Sequence, residues 1–412
     1  VRSVEIVRGP VSSLYGSDGI AGAVSVFTFD PGDLLGARNW HASASALYAG
    51  EDEGTAYGLR TAARLGERHE LLAIATYREA GPLDGFGTNA APNSTRTAPN
   101  PQDFAAESGL VKWVWRLGEE SRLRTTVERV EERMSSDVLS ARTPNPVAPT
   151  AVVRLDARDV AERTRAAVDV EFGGLGLGVA DRVTAAAYWQ DAETRQFSAE
   201  DRLAAADRTR DNRYAERVAG INLQVERDFT AGAQRYRIVY GADASRAEIA
   251  GVRDGTVPPP GERFPAAAFP VTDYDQYGAF AQAEIAFGDS GLFLTPGVRW
   301  DDFSLDPAAD PTFPSTAVAL DGDRVSPKLA VRWTLASGFS VYGNWAEGFR
   351  PPTPGQVNNG FTNLFSPGFA YVSIGNPDLR PERSETLELG VRGEAARLSW
   401  SLAYFDARYR DF

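Results

Sequence analysis

From about residue 38 onward the chain alternates polar and apolar positions with a period of two, segment after segment. Within 325–335, Val325, Pro327, Leu329, Val331, Trp333 and Leu335 fall on one face, and Ser326, Lys328, Ala330, Arg332 and Thr334 on the other. Leu398, Trp400, Leu402 and Tyr404 oppose Arg397, Ser399, Ser401 and Ala403 in the same way, and Leu387, Leu389 and Val391 oppose Glu388, Gly390 and Arg392. Successive side chains of a strand point to opposite faces, so this period marks a sheet that is wet on one side only. The pattern predicts strands near 38–49, 55–66, 69–80, 106–117, 121–134, 159–172, 182–195, 212–227, 234–248, 275–287, 290–303, 324–335, 338–347, 383–394 and 397–410.

The connections carry a second signal. Short turns at 66–68, 118–120, 288–289, 336–337 and 395–396 alternate with long loops rich in Pro, Gly, Asn and Asp at 80–105, 135–158, 249–274, 304–323 and 348–382. Tight turns at one end and large loops at the other are the pattern of a barrel that crosses an outer membrane. Trp40, Tyr48, Trp113, Trp115, Trp189, Trp300, Trp345 and Tyr409 lie near strand ends, where aromatic girdles sit. Arg299, Arg332 and Arg392 keep to the polar face; at mid-membrane on the lipid face each would cost roughly 2–4 kcal/mol. A propeller also has alternating strands, but it repeats a motif at a fixed period, and none recurs here. The predicted fold class is therefore all-β, a transmembrane antiparallel β-barrel.

Composition narrows the function. No apolar run approaches the ~18 residues a spanning helix needs, whereas spanning strands need only about 9–11. A net charge of −13 argues against a nucleic-acid partner. Cysteine is absent, which removes thiolate metal sites and cysteine nucleophiles, and the only histidines are His41 and His69, expected to be ordinary surface or lumen residues. No phosphate loop, HExxH or GxSxG occurs, so no catalytic residue is assigned and the chain is not expected to be an enzyme. Asp301, Asp302, Asp306, Asp310, Asp321 and Asp323 cluster without Lys or Arg between Asp301 and Asp323. Loop oxygens suit Ca²⁺, but this spacing is not that of an EF-hand, and a solvated acidic loop is the alternative.

The first 28 residues differ from the rest. Val4–Val7 is a short β-type run ended by Arg8-Gly9-Pro10; Leu14-Tyr15-Gly16-Ser17 leads into glycines at 16, 19 and 22, and Val24–Phe27 is a second run. Proline fixes φ, and the glycines allow tight turns and close backbone approach. Together VEIVRGP, LYGSDGIAGAV and the exit segment FTFDPGDLL (27–35) closely resemble the C-terminal end of the plug domain of TonB-dependent outer-membrane receptors. In the longest loop, GFRPPTP (348–354) and GNPDLRPERSE (375–385) are similar to the paired FRAP and NPNL boxes of such receptors for haem and haemoglobin, with related versions in siderophore receptors.

The resemblance implies the C-terminal part of a plug at 1–30 and a partial barrel at 31–412, with about 15 of roughly 22 strands. The chain begins at Val1 in what reads as the middle of a domain and stops at Phe412 just after a strand-like run, so a fragment is expected. Its end strands, 38–49 and 397–410, would lack partners, and open edges in hydrocarbon leave N–H and C=O groups unsatisfied, so this piece alone is not expected to seal a barrel. The resemblance further implies a monomer in the cell outer membrane of a Gram-negative bacterium, in contact with lipid and lipopolysaccharide. It would work with the TonB energy-coupling complex, which engages the missing N-terminal part of the plug. No intrinsic cofactor is expected; the transported ligand would be haem or haemoprotein-derived iron, with a haemoprotein as partner. A ferric siderophore is the alternative. A passive channel or surface adhesin is the alternative from another class, and the plug segment argues against a simple porin.

Site expectations follow from the same stretches. The plug motif comprises Glu5, Arg8, Gly9, Pro10, Leu14, Tyr15, Gly16 and Ser17, with Arg8 a candidate latch to Glu382, Glu385 or Glu388 on the barrel wall. Candidates in the ligand loop are Phe349, Arg350, Asn358, Asn359, Phe361, Phe365, Phe369, Tyr371 and Asn376. Pro351, Pro352, Pro377 and Pro381 stiffen its base, and Asn376 and Asp378 favour turns, so the boxes also read as rim architecture. Haem receptors of this kind place a histidine between the two boxes, and residues 355–374 contain none. Tyr371 is the one side chain there whose phenolate could ligate haem iron.

Overall fold

Tight turns between amphipathic strands leave each strand one cheap partner, the next in sequence, and antiparallel pairing follows. The computed structural model describes the chain except residues 13–15, 18, 314–315, 337, 364–369 and 396. Two short strands come first, β1 (Ser3–Arg8) and β2 (Gly22–Phe27), paired antiparallel with Arg8 opposite Gly22. A single helical turn, α1 (Pro31–Leu35), leads to the barrel wall. The wall begins with β3 (Trp40–Ala49), β4 (Gly54–Leu65), β5 (His69–Ala80), β6 (Gln102–Arg116), β7 (Ser121–Asp137) and β8 (Val152–Phe172). It continues through β9 (Arg182–Arg202), β10 (Arg208–Ala231), β11 (Gln234–Gly255), β12 (Ala266–Phe287), β13 (Leu292–Pro307), β14 (Leu320–Ala336) and β15 (Phe339–Arg350). The turn α2 (Pro354–Val357) and a hairpin, β16 (Gly360–Asn363) with β17 (Tyr371–Ile374), interrupt it before β18 (Glu382–Ala395) and β19 (Leu398–Arg410).

Fifteen of these strands form one sheet in sequence order, β3 to β15, then β18 and β19. Each of the fifteen strands expected from the periodicity has its counterpart, and β3 and β19 are the two edges. Pleating sorts side chains to two sides. Leu59, Val111, Ile221, Val298, Val331 and Leu389 stand exposed on the outer face, an apolar band that water would not tolerate but lipid does. His69 lies on this outer face rather than in the lumen. Its ring stacks 5.7 Å from both Trp113 and Trp115, beside a short turn, as part of an aromatic girdle.

The strands run further toward the long-loop side than expected. The predicted loops 135–158, 249–274 and 304–323 shrink to 138–151, 256–265 and 308–319. Above the bilayer both faces are wet, so alternation fades while the backbone ladder continues. Outward ion pairs also stand on the strands of this part of the wall: Arg129–Glu162 at 3.0 Å, Arg195–Asp211 at 2.6 Å and Arg217–Asp191 at 3.1 Å. Water screens such surface pairs, so the ladder rather than the charges sustains the extension.

On the inner face, α1 is seated against β4, β5 and β6. Leu35 and Leu72 are fully buried there with Ala62 and Leu110, and Phe29, Leu34 and Ile74 pack around them. This small core fixes the chain where it leaves the first hairpin and enters the wall.

Facing predicts a sharp asymmetry between neighbours. Val331→Arg, on the lipid face of β14, should cost about 2–4 kcal/mol of unfolding free energy in lipid vesicles, and Ala330→Arg, one residue away on the lumen face, under half of that. Equal losses at both positions would show that the faces are assigned wrongly.

Candidate functional site

The first hairpin turns against the wall. Gly22 (φ +150°) passes so close to β1 that a Cβ would lie 2.4 Å from the Val7 carbonyl oxygen. Beyond the hairpin, Pro10, Ser12 and Ile20 are buried against the upper ends of β15 and β18. The Phe349 amide donates to Ser12 Oγ at 3.2 Å, and Ser384 Oγ donates to the Ile20 carbonyl at 2.7 Å. Gly348 allows this approach, since a Cβ there would stand 3.1 Å from both Pro10 Cβ and Ser12 Oγ. The RGP turn therefore meets the FR box directly. Leu14 and Tyr15 lie outside the described residues. Ser17 accepts a 2.6 Å hydrogen bond from Gln276 Nε2.

Gly16 has φ +86°, and a Cβ on it would lie 3.1 Å from Arg299 Nη2. Arg299 is only 3% exposed; it is bidentate to Asp243 at 2.7 and 2.8 Å, and its Nε donates to Asp301 at 2.7 Å. Its guanidinium also lies over the Phe280 ring at 5.8 Å. Local sequence gave no sign that this arginine would underlie Gly16; the strand register brings it there.

The expected latch between Arg8 and the β18 glutamates is not what forms. Among the described residues no ion pair joins Arg8 to them, and Arg8 and Glu5 are exposed on β1. Glu385 shares the outer face with Leu387 and Leu389, and accepts from Trp345 Nε1 at 3.1 Å. Glu388 accepts from the Tyr342 hydroxyl at 2.9 Å, and Glu382 lies 3.8 Å from Arg350. The charged tie is made at the other end of the segment. Asp30 receives Lys112 Nζ at 2.8 Å and Arg124 Nη1 at 2.9 Å, with Arg122 at 3.7 Å, and Arg124 also holds Asp169 at 2.7 Å. Burial pushes the Asp30 carboxyl up, but the Lys112 hydrogen bond and the charges of Arg124, Lys112 and Arg122 outweigh it and hold the group below its ordinary range.

At the opposite mouth the long loop folds back over the wall. Thr353 and Gln356 cap α2 reciprocally, and Gly355 sits against Phe269, which packs with Ala247 and Ile249 on the inner face. Asn358 is buried at 3% exposure, with both amide groups bonded to the Val318 backbone at 2.8 Å. It pins the neighbouring loop from a buried position rather than standing open at the mouth. Asn376 closes a turn by accepting the Asp378 amide at 3.0 Å. Phe349 is 1% exposed and packed under the rim, whereas Asn359 is exposed.

Tyr371 and Phe361 remain accessible. Tyr371 is 54% exposed, and its ring stands 5.6 Å from Phe361 across the β16–β17 hairpin. Phe361 in turn lies 4.9 Å from the guanidinium of Arg253 on β11, which donates to the Gly360 carbonyl at 2.8 Å and pairs with Glu262 at 3.0 Å. The expected Phe365 and Phe369 lie outside the described residues. Sequence reasoning missed Arg253 because its stretch read as loop, and the extension of β11 is what carries it to the mouth.

The acidic run is not a loop. Asp301, Asp302 and Asp306 are on β13 and Asp321 and Asp323 on β14; only Asp310 lies in the connection, where it caps Thr312. Neighbours on a strand point to opposite faces, so Asp301 and Asp302 cannot converge on one cation. Among the described residues no three His, Cys, Asp or Glu side chains group as a metal site.

Comparison with known proteins agrees with this architecture. A family model described as "TonB dependent receptor-like, beta-barrel" matches residues 115–412. A hemin receptor of Yersinia enterocolitica is 25% identical over the whole chain and 56% of its own length. The ferric enterobactin receptor PirA of Pseudomonas aeruginosa is 23% identical over 55% of its length. The chain thus spans about half the length of the curated relatives it matches. Among solved structures, the hemophore receptor HasR of Serratia marcescens superposes with a TM-score of 0.72 at 19% identity, covering 98% of this chain and 60% of that one. The copper transporter OprC gives 0.69 at 16%, covering 98% and 58%.

Two outcomes test the docking. Gly16→Ala, which meets both the left-handed φ and Arg299, should weaken docking of this N-terminal segment by about 1–3 kcal/mol, read as faster amide exchange in 16–22. Asp30 is held low, so its contribution is complete above the ordinary aspartate pKa of about 3.9 and fades as pH falls through its lowered value. Exchange in 28–36, corrected for intrinsic rates, should be flat from pH 7 to 5 and rise below about 4. Asp30→Asn should raise it throughout and remove the acid step.

Proposed function

The chain belongs to the TonB dependent receptor-like β-barrel family, outer-membrane proteins of Gram-negative bacteria, and from that premise we propose that it serves energised uptake of an iron complex, with haem as the leading cargo. The observation that carries the reading is the pair Phe361–Tyr371, presented at the mouth between the two boxes with Arg253 against the Phe361 ring. A flat macrocycle stacks on such aromatic faces, and a phenolate is an accepted haem-iron ligand. In the absence of a histidine in 355–374, Tyr371 takes the axial role. The hemin receptors of Yersinia among the relatives point the same way.

The mechanism uses the contacts already described. Cargo held by the hairpin bears on the base of its own loop, where Phe349 and Ser384 bond the plug turn. The TonB complex, energised from the inner membrane, then draws on the plug; these bonds give way, and cargo passes to the periplasm. The docked plug turn separates this reading from a passive channel or an adhesin, neither of which needs one.

A ferric siderophore is the second reading, favoured by the missing histidine and by the PirA relative. A haemin titration in detergent followed at the Soret band decides between them. A saturable shift that Tyr371→Phe abolishes is the expected result. No saturable shift, with ferric siderophores quenching tryptophan fluorescence instead, would transfer the function to the second reading.

A further inference from the structure

The tips of β9, β10 and β11 bring three arginines together on the lumen-facing side of the mouth. Glu200 pairs with Arg208 and Ser198 with Arg210 in one ladder, and Arg210 with Gly255 and Asn212 with Arg253 in the next. Arg208, Arg210 and Arg253 thus have the inward parity of Val218 and Ala247, which pack in the inner-face core. The carboxylates nearby are spent. Glu200 is bound by Arg208 and lies 3.7 Å from Arg202; Glu262 pairs with Arg253; Asp207 accepts the Arg202 amide at 2.9 Å.

Arg210 has no carboxylate partner among the described residues. Its Nη1 donates to the Thr209 and Thr256 carbonyls at 2.7 Å each, and Nη2 to the Val257 carbonyl at 3.0 Å. Phe264 lies under the guanidinium at 5.2 Å. Neutral carbonyls and an aromatic face fix the orientation of the cation without neutralising it. Burial brings its pKa below the ordinary arginine value, with the charges of Arg208 and Arg202 acting in the same direction and those of Glu200 and Glu262 against it. In a chain of net charge −13 this is a local reversal of sign.

We infer that Arg210, with Arg208 beside it, is a recognition site for the carboxylate groups of an anionic cargo whose flat body lies on Phe361 and Tyr371. Arg210 stands two ladder positions from Arg253, the residue in contact with Phe361, so one ligand of porphyrin size reaches both. The inference rests on the uptake reading above and refines it: the cargo is selected by its carboxylates as well as by its metal.

The test compares haemin with its dimethyl ester, which keeps the macrocycle and iron but lacks both negative charges. The full protein should bind haemin at least tenfold more tightly at the Soret band. Arg210→Gln should lower haemin affinity to that of the ester and leave ester affinity unchanged, while Arg210→Lys retains part of the difference. Far-UV circular dichroism and heat-modifiable migration confirm that each variant is folded. Equal affinity for the two ligands, or an Arg210→Gln loss shared by both, would overturn the carboxylate site while leaving haem uptake standing. Should neither bind, the haem reading falls, and ferric citrate followed by tryptophan fluorescence takes over as probe. Binding that Arg210→Gln removes supports the site; no binding, or binding indifferent to Arg210, overturns it.

Discussion

Within hydrocarbon no water is available to a backbone amide, so each N–H and C=O of the wall must be paired by a neighbouring strand. That requirement sets the order of the sheet, in which fifteen strands follow one another with no crossover among the wall strands. It also explains how functional groups reach the mouth. Once the ladder is running it continues past the lipid, and the extended ends of β9 to β11 carry side chains to heights that a sheet ending at the bilayer would not reach. Register then decides which of them face inward.

The mouth loop is where two tasks meet. Its base is architecture: Asn358, Asn376 and the capped α2 spend their polar groups on backbone. Its hairpin presents Phe361 and Tyr371, and its flanks at Gly348, Phe349 and Ser384 grip Pro10, Ser12 and Ile20. A segment that both displays a surface and holds the N-terminal turn is a short physical connection between the two. No long-range relay through the barrel is needed for one to affect the other.

Much of the wall was legible in the sequence because lipid imposes a period of two on every strand it touches. The Val325–Leu335 and Leu398–Tyr404 alternations needed no tertiary knowledge to read. Where lipid stops, that constraint stops too, which is why Arg253 sat in a stretch read as loop and why Asp306, Asp321 and Asp323 fell in a predicted loop although they are on strands. Tyr371 and the plug turn were visible as motifs, and Leu14, Tyr15, Phe365 and Phe369 lie outside the described residues. The latch proposed for Arg8 failed for a simpler reason. Glu385 shares its parity with Leu387 and Leu389, Glu388 and Glu382 face inward but lie against Tyr342 and Arg350, and Arg8 stands exposed on β1. Arg299, Arg210 and Asp30 were invisible as partners because their roles depend on residues scores of positions away.

The N-terminal segment is held in two different ways along its length. Around Ser12, Ser17 and Ile20 the bonds are single, neutral and spread over three strands, β12, β15 and β18. At Asp30 three cations converge on one carboxylate beside the buried Leu35 core. Under a mechanical load the first set is a row of separate stitches that part in succession, each at small force, whereas the second is a mooring that must fail all at once. Under load the segment would therefore part first around Ser12, Ser17 and Ile20 and hold longest at Asp30.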